Sequence, residues 1–185
     1  GFTTPESVEV QQMLGFLKSG GVGHAVIEIS SHALEMQRVH DVDIDVAVFT
    51  QLSQDHLDYH ENMENYFQAK LKLFTQLGSN KTSVINLDDN YGAKIIEAVT
   101  SKVITYGFNE NAIVHPISYE LSLVGTNAHI SVDGSEIEIS SLLVGKFNLY
   151  NILATIATAH ALEIPHLEIA RAIESFDKVS GRMEV

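Results

Sequence analysis

The hydrophobic period of this chain changes once, near Gly107, and that change constrains the fold more than any other feature. Before it, short apolar runs alternate with helical patterns. His24 to Ile29 (HAVIEI), Val46 to Phe49 (VAVF), Ser83 to Asn86 and Val103 to Tyr106 read as buried strands. Between them, Thr4-Pro5 can serve as N-cap and first helical residue, with Val10, Met13, Leu14 and Leu17 then forming an apolar stripe as far as Gly20-Gly21. Met63, Phe67, Leu71 and Phe74 mark the buried face of a helix over 61–77, and 88–100 is helical as well. Strands alternating with helices imply parallel βαβ units. After Gly107 the text from Ile113 to Leu143 alternates in period two, interrupted at Gly125-Thr126-Asn127 and Asp133-Gly134, which predicts an antiparallel meander. Helical patterns return over 146–162 and from Ile164-Pro165 to Phe176. The expected fold is α/β, a mostly parallel sheet flanked by helices with a small antiparallel β insertion at 112–143. No repeat or linker divides it, so residues 1–185 are expected to form one domain.

Composition narrows the function. The absence of Cys removes disulfides, thiolate metal sites and a cysteine nucleophile, and no apolar run reaches the roughly 20 residues of a membrane helix. With 11 Lys+Arg against 24 Asp+Glu, the formal charge of -13 argues against a nucleic-acid footprint. Any phosphate must be met locally, by backbone N–H groups, metal ions or a few placed cations. A cytoplasmic, monomeric protein with neither nucleic-acid nor membrane partners is expected. The opening Gly1-Phe2-Thr3 and the closing Gly181-Arg182-Met183-Glu184-Val185 both read as cut from something longer, with 181–185 beginning a strand or linker.

Three features can carry chemistry. Glu28 stands at the carboxyl end of an apolar run, where a carboxylate either points into water or holds Mg2+, since open α/β sheets bind ligands beyond the carboxyl ends of their strands. The segment 50–60 follows the next strand and carries Asp55, His56, Asp58 and His60, which either cap the following helix or supply metal ligands. Lys70 borders the buried stripe of its helix. It is either a snorkelling lysine or a desolvated amine able to take up CO2 as an anionic carbamate. The G-x-x-x-x-G-K-[ST] phosphate loop is missing, because Gly145-Lys146 has Ser140 in place of the first glycine and Phe147 in place of the hydroxyl. G-x-S-x-G and H-E-x-x-H are missing too.

Taken together, Thr3-Thr4-Pro5, the run Ile27 to Leu34 with Arg38-Val39, the block Asp55 to His60, and Ala69-Lys70 fourteen residues beyond His56 resemble the Mur ligase family, most closely its MurE type. Asn86-Leu87-Asp88-Asp89, Thr105-Tyr106-Gly107, Gly145 to Asn151 and Gly181-Arg182-Met183-Glu184 continue the likeness in order, so that it spans essentially the whole chain. Folylpolyglutamate-type, MurC, MurD and MurF ligases share the His and Lys but resemble the Ser-Ser-His-Ala-Leu run less.

The resemblance implies the central ATPase domain of a three-domain enzyme of peptidoglycan synthesis, without its phosphate loop and flanking domains, so that the fragment alone is expected to be inactive. The implied activity joins an amino acid to a UDP-N-acetylmuramoyl-peptide by an ATP-dependent ligation through an acyl phosphate. By the same resemblance Glu28 holds Mg2+ on the ATP phosphates, and His56 and carbamylated Lys70 hold a second Mg2+ and serve catalysis. Thr3, Thr4, Ser30 and Arg38 contact the UDP-muramoyl-peptide. Asn148 and Asn151 meet the adenine, and Arg182 lies on the ribose side. Gln51 and Met36 depart from the family's usual Asn and Gln. The amino acid added, lysine or diaminopimelate, is left open, as are two other readings: a folylpolyglutamate-type or other Mur-type ligase, and a binding module that kept the fold without the ATPase.

Overall fold

The computed structural model describes residues 3–54 and 57–176. A single six-stranded sheet has its strands in chain order: β1 (Val46–Phe49), β2 (Thr82–Asn86), β3 (Lys102–Tyr106), β4 (Val114–Leu121), β5 (Thr126–Val132) and β6 (Ser135–Ser141). The first three are parallel, with Val46 opposite Thr82 and Ile85 opposite Thr105. The parallel pairing passes to β4 through Tyr106 and Val114, and from there the ladder is antiparallel. The meander therefore extends the same sheet. A hairpin joins β5 to β6 through Asp133 (φ 50°) and Gly134 (φ 78°), the two left-handed residues that a tight turn matched to strand twist requires.

Helices cover both faces of the parallel part. On one side α1 (Ser31–Glu35), α2 (Met63–Thr75) and α3 (Asn90–Ala98) bury Leu34, Phe67, Phe74 and Ile95 against Phe49 and Ile85. On the other, α4 (Lys146–Ala161) and α5 (His166–Glu174) pack Leu149, Leu153, Ile156 and Ile169 on Val84, Tyr106, Val114 and Ile130. Neighbouring Val84 and Ile85 thus serve opposite cores, and every residue of β2 is buried. Strand β5, covered on one face only, alternates instead.

Two expectations fail at the chain's beginning. Residues 24–29 form no strand, and Val26 is fully exposed. An apolar run becomes a strand only where a neighbour completes its ladder, and among the described residues none pairs with it; β1 itself stands at the sheet's edge. The first helix, α0 (Ser7–Ser19), is capped by Glu6 and not by Thr4, with the Glu6 N–H donating to Glu9 at 3.2 Å. Thr4 is committed elsewhere, to the Glu28 carbonyl. Of the expected stripe only Val10 is buried, while Met13 is 42% exposed. Other differences are at the ends: Asn62 caps α2 by accepting from the Asn65 N–H at 2.9 Å, and Asp89 caps α3 by accepting from Tyr91 N–H at 2.8 Å. Two short helices, α1 and a turn over Leu57–His60, are too brief for periodicity to reveal.

Gly92 lets α3 lie directly on the end of β2, because a Cβ there would stand 2.2 Å from the Asn86 carbonyl oxygen. A backbone oxygen within a buried strand cannot swing aside. Gly92→Ala should therefore lower unfolding stability by about 2–3 kcal/mol despite alanine's better helix propensity, as measured by urea titration. An unchanged midpoint would show that the helix can lift from the strand at no cost.

Candidate functional site

The residues expected around the substrate form one bonded unit. Thr4 is fully buried, and its hydroxyl donates to the Glu28 carbonyl at 2.9 Å while accepting from the Ser30 N–H at 3.1 Å. Arg38 is 6% exposed; it donates from Nη1 to the Thr4 carbonyl at 2.9 Å and pairs through Nη2 with Glu6 at 2.7 Å. Ser30 caps α1, its hydroxyl accepting from the Ala33 N–H at 3.2 Å. These side chains hold the extended segment before α1 in place, and Thr3 beside them is exposed. Met36, one of the two departures from the family pattern, offers its sulfur to Arg38 Nη2 at 3.2 Å.

Lys70 lies on α2, half-buried as its position beside the stripe suggested. Burial pushes its amine below the usual lysine range, and the nearby charge of Glu28 opposes that shift. Among the described residues Nζ has no salt bridge or hydrogen bond, and its nearest ring is Tyr66, with the centroid 5.3 Å away. The fold thus brings Glu28 and Lys70 into electrostatic range of each other. His56 and Arg182 lie outside the described residues. A carboxylate within electrostatic range of a desolvated amine would fit a hard cation if the amine carried a carbamate, which adds oxygen donors and negative charge. No group of three His, Asp or Glu that could hold a metal occurs among the described residues.

Asn148 and Asn151 lie apart from this group. They border a cleft of about 520 Å³ between α4, α5 and β6, floored by Ile152, Ile164, Ile169 and Ile173; none of Glu28, Lys70, Thr4, Ser30 or Arg38 lines it. Asn148 donates to the Val144 carbonyl at 2.9 Å, and Asn151 donates to Asn148 at 3.3 Å, so the two amides form a connected polar edge on an apolar floor. Such a cleft suits a flat heteroaromatic ring.

Two clusters escaped the reading of single residues. At the carboxyl ends of the parallel strands, Asp88 accepts from the N–H groups of Phe108 and Asn109 at 2.6 and 3.0 Å and from the Tyr150 hydroxyl at 2.8 Å. Asp89 accepts from Leu52 N–H at 2.9 Å, and Asn86 donates to the Thr50 carbonyl at 2.7 Å. The available signal was Gly107, at φ 154°, where a Cβ would meet the Asp88 carboxylate at 2.8 Å. The second cluster surrounds His60, whose Nε2 lies 2.8 Å from the Ser31 hydroxyl with both residues buried. Sequence gives no sign of that pairing, because 29 positions separate the partners.

A family model described as the Mur ligase middle domain matches residues 1–159, and the chain belongs to that family. It is 43% identical over 182 residues to a UDP-N-acetylmuramoyl-L-alanyl-D-glutamate--2,6-diaminopimelate ligase of Caldanaerobacter subterraneus subsp. tengcongensis, covering 98% of this chain and 37% of the relative. It is 42% identical over 189 residues to the ligase of the same description from Bacillus velezensis, covering 99% and 39% respectively. A solved ligase of that description superposes with a TM-score of 0.90 at 30% identity, over 98% of this chain and 38% of that one. MurF from Acinetobacter baumannii, at 21% identity and a TM-score of 0.71 over 77% of this chain and 31% of its own, shares the fold. The chain thus spans under two fifths of the length of the curated relatives it matches.

The Asp88–Tyr150 bond has a measurable consequence. Burial first, then the hydrogen bond and charge of Asp88, push the Tyr150 phenol up to about 12. Below pH 10 the phenol is protonated whether folded or not, so its contribution to stability is constant. Above that value the unfolded chain ionises first, and the contribution is lost as pH rises toward 12. In Asp88→Ala the ultraviolet titration of Tyr150 should move part of the way back toward pH 10, since burial remains. An unmoved midpoint would mean that the carboxylate does not hold the phenol.

Proposed function

We propose that the chain is the central domain of a MurE-type ligase, which adds an amino acid to a UDP-N-acetylmuramoyl-dipeptide in peptidoglycan synthesis. ATP activates the peptide carboxylate as an acyl phosphate, and the amine of the incoming amino acid then displaces phosphate to give the amide. The relatives' shared description favours 2,6-diaminopimelate over lysine as that amino acid. The observation that carries the reading is the half-buried Lys70 amine within electrostatic range of Glu28 in a chain of this family. An ammonium there would repel the cations on which phosphoryl transfer depends, whereas a carbamate would attract them. Bound Mg2+ supplies charge neutralisation at the transferred oxygens.

In this reading Glu28, His56 and carbamylated Lys70 hold Mg2+. The bonded unit of Thr4, Ser30 and Arg38, with Thr3, orients the substrate. Its side chains are largely engaged with one another, which favours backbone groups of the segment and the cap of α1 as the direct contacts. Asn148 and Asn151 meet the adenine at the apolar cleft, and Arg182 takes the ribose side. These residues contain no phosphate loop, and the whole reaction needs one, as it needs the flanking domains. We place the enzyme in the cytoplasm as a monomer; no described helix is long and apolar enough to cross a membrane.

Two measurements test this. In the full-length ligase Lys70→Ala should lose activity by at least about a hundredfold and recover part of it when acetate is supplied, because the free acid offers the metal the same oxygens. Lys70→Arg should stay inactive with or without acetate, since its guanidinium keeps a positive charge there. Near-normal activity of Lys70→Arg would make the residue a packing or phosphate-binding cation. Titration calorimetry of Mg-ATP into these 185 residues should give an affinity weaker than micromolar. Micromolar binding would show that phosphate cradling is already complete within them.

A further inference from the structure

The stem of Lys70 is long and flexible, so a fixed position for its amine needs something that holds it, and the structure offers a defined support. Tyr66 stands one helical turn before Lys70 on α2, and the amine lies 5.3 Å from its ring centroid. Tyr66 is in turn supported by His60: the two rings stack with centroids 5.0 Å apart and planes 18° apart. The ring of His60 is hemmed in further by Tyr59, edge-on at 4.8 Å, and by His32 at 5.5 Å. Its Nε2 is tied to the Ser31 hydroxyl at 2.8 Å, and both residues are buried, at 5% and 2% exposure.

If packing were the whole role of this ring, an apolar aromatic residue would serve without the cost of burying polar nitrogens. A buried imidazole bonded to a buried hydroxyl has a fixed orientation as well as a fixed place. The backbone cooperates. Glu61 adopts φ 66°, and Asn62 N–H reaches back to the His60 carbonyl at 2.8 Å, so the chain reverses between the Leu57–His60 turn and α2. That reversal puts His60 between Ser31 on α1 and Tyr66 on α2. A left-handed non-glycine residue carries a backbone cost that the surrounding contacts must offset.

We infer that His60 is a positioning residue: anchored on Ser31, it holds Tyr66 against Lys70 and so fixes where the Lys70 amine stands. The inference rests on the proposed role of Lys70 and extends it to a residue that touches neither metal nor substrate in that role. It couples the start of α1, next to the Ser30 cap, to the nitrogen on α2 through a hydrogen bond, a ring stack and the packing of Lys70 Nζ over the Tyr66 ring, a contact that does not require the nitrogen to be charged.

The test uses the full-length ligase. His60→Phe keeps the ring face and removes the anchor, while Ser31→Ala removes the same bond from the other end with the imidazole left in place. Each should lower kcat by about ten- to a hundredfold while the KM for ATP stays within about threefold, because the amine is displaced and the nucleotide site is not. If His60→Phe does not fold, Ser31→Ala decides alone. The discriminating measurement adds each substitution to Lys70→Ala supplied with acetate. A free acid is not placed by Tyr66, so the further loss should be no more than about twofold. Loss of the rescued activity as large as in the parent would make His60 a structural residue and overturn the inference, as would an unchanged kcat in the parent. A Lys70→Ala enzyme that keeps its activity or resists rescue would sink the Lys70 assignment, and this inference with it. A rescued Lys70→Ala beside a parent indifferent to both substitutions would leave Lys70 standing and remove His60 alone.

Discussion

Burial of β2 on both faces is the constraint on which the rest of the molecule depends. A strand covered on one side can alternate polar and apolar residues, but Thr82 to Asn86 has no solvent side, and its polar groups must find partners inside. Ser83 does so by bonding Ser101 at 2.7 Å, and Asn86 by donating to Thr50. These bonds tie β2 to the loops entering β3 and leaving β1. The first bond fixes the amino ends of β2 and β3 and the second the carboxyl edge, where ligands of such sheets bind and where the carboxylates of Asp88 and Asp89 directly follow the strand.

Two polar regions grow out of that frame by different means. The segment around Glu28 has no ladder and is held by Thr4, Arg38 and the α1 cap, a small set of charged and neutral hydrogen bonds replacing sheet pairing. The Asn148–Asn151 edge is part of a regular helix whose opposite face is core, so its geometry is inherited from packing. The first region is consequently the one whose placement rests on a few side chains. Arg38 contributes most, since it touches the carbonyl of Thr4 and the carboxylate of Glu6 at once.

The regular part of the fold was legible because its cause is periodic. The strands from Val46 onward, the meander and the long helices all declare themselves through spacing, and the structure places them within a few residues of expectation. The run HAVIEI misled because its composition suits a strand whereas a strand also needs a partner, which no local pattern records. The α0 cap misled because Thr4 and Glu6 both suit the role, and a contact with Glu28, 24 positions away, decided between them. For the site, Lys70 could be singled out as a cation beside an apolar stripe, and family resemblance added Glu28, Arg38 and the asparagines. The Ser31–His60 and Asp88–Tyr150 pairs could not be read that way, since each joins residues far apart in the chain, and His60, weighed there as a cap or a metal ligand, bonds Ser31 instead.

Strand β6 closes the sheet, and no further strand pairs with its outer side among the described residues. An open edge of this kind is a template on which another chain can add a strand. Here exposed Glu136 and Glu138 alternate with buried Ile137 and Ile139, and Ser135 and Ser140 flank them. A second copy approaching in register would bring like charges together, on a molecule already carrying -13. The alternation that seals the core from one side thus also guards the molecule against self-templated aggregation from the other.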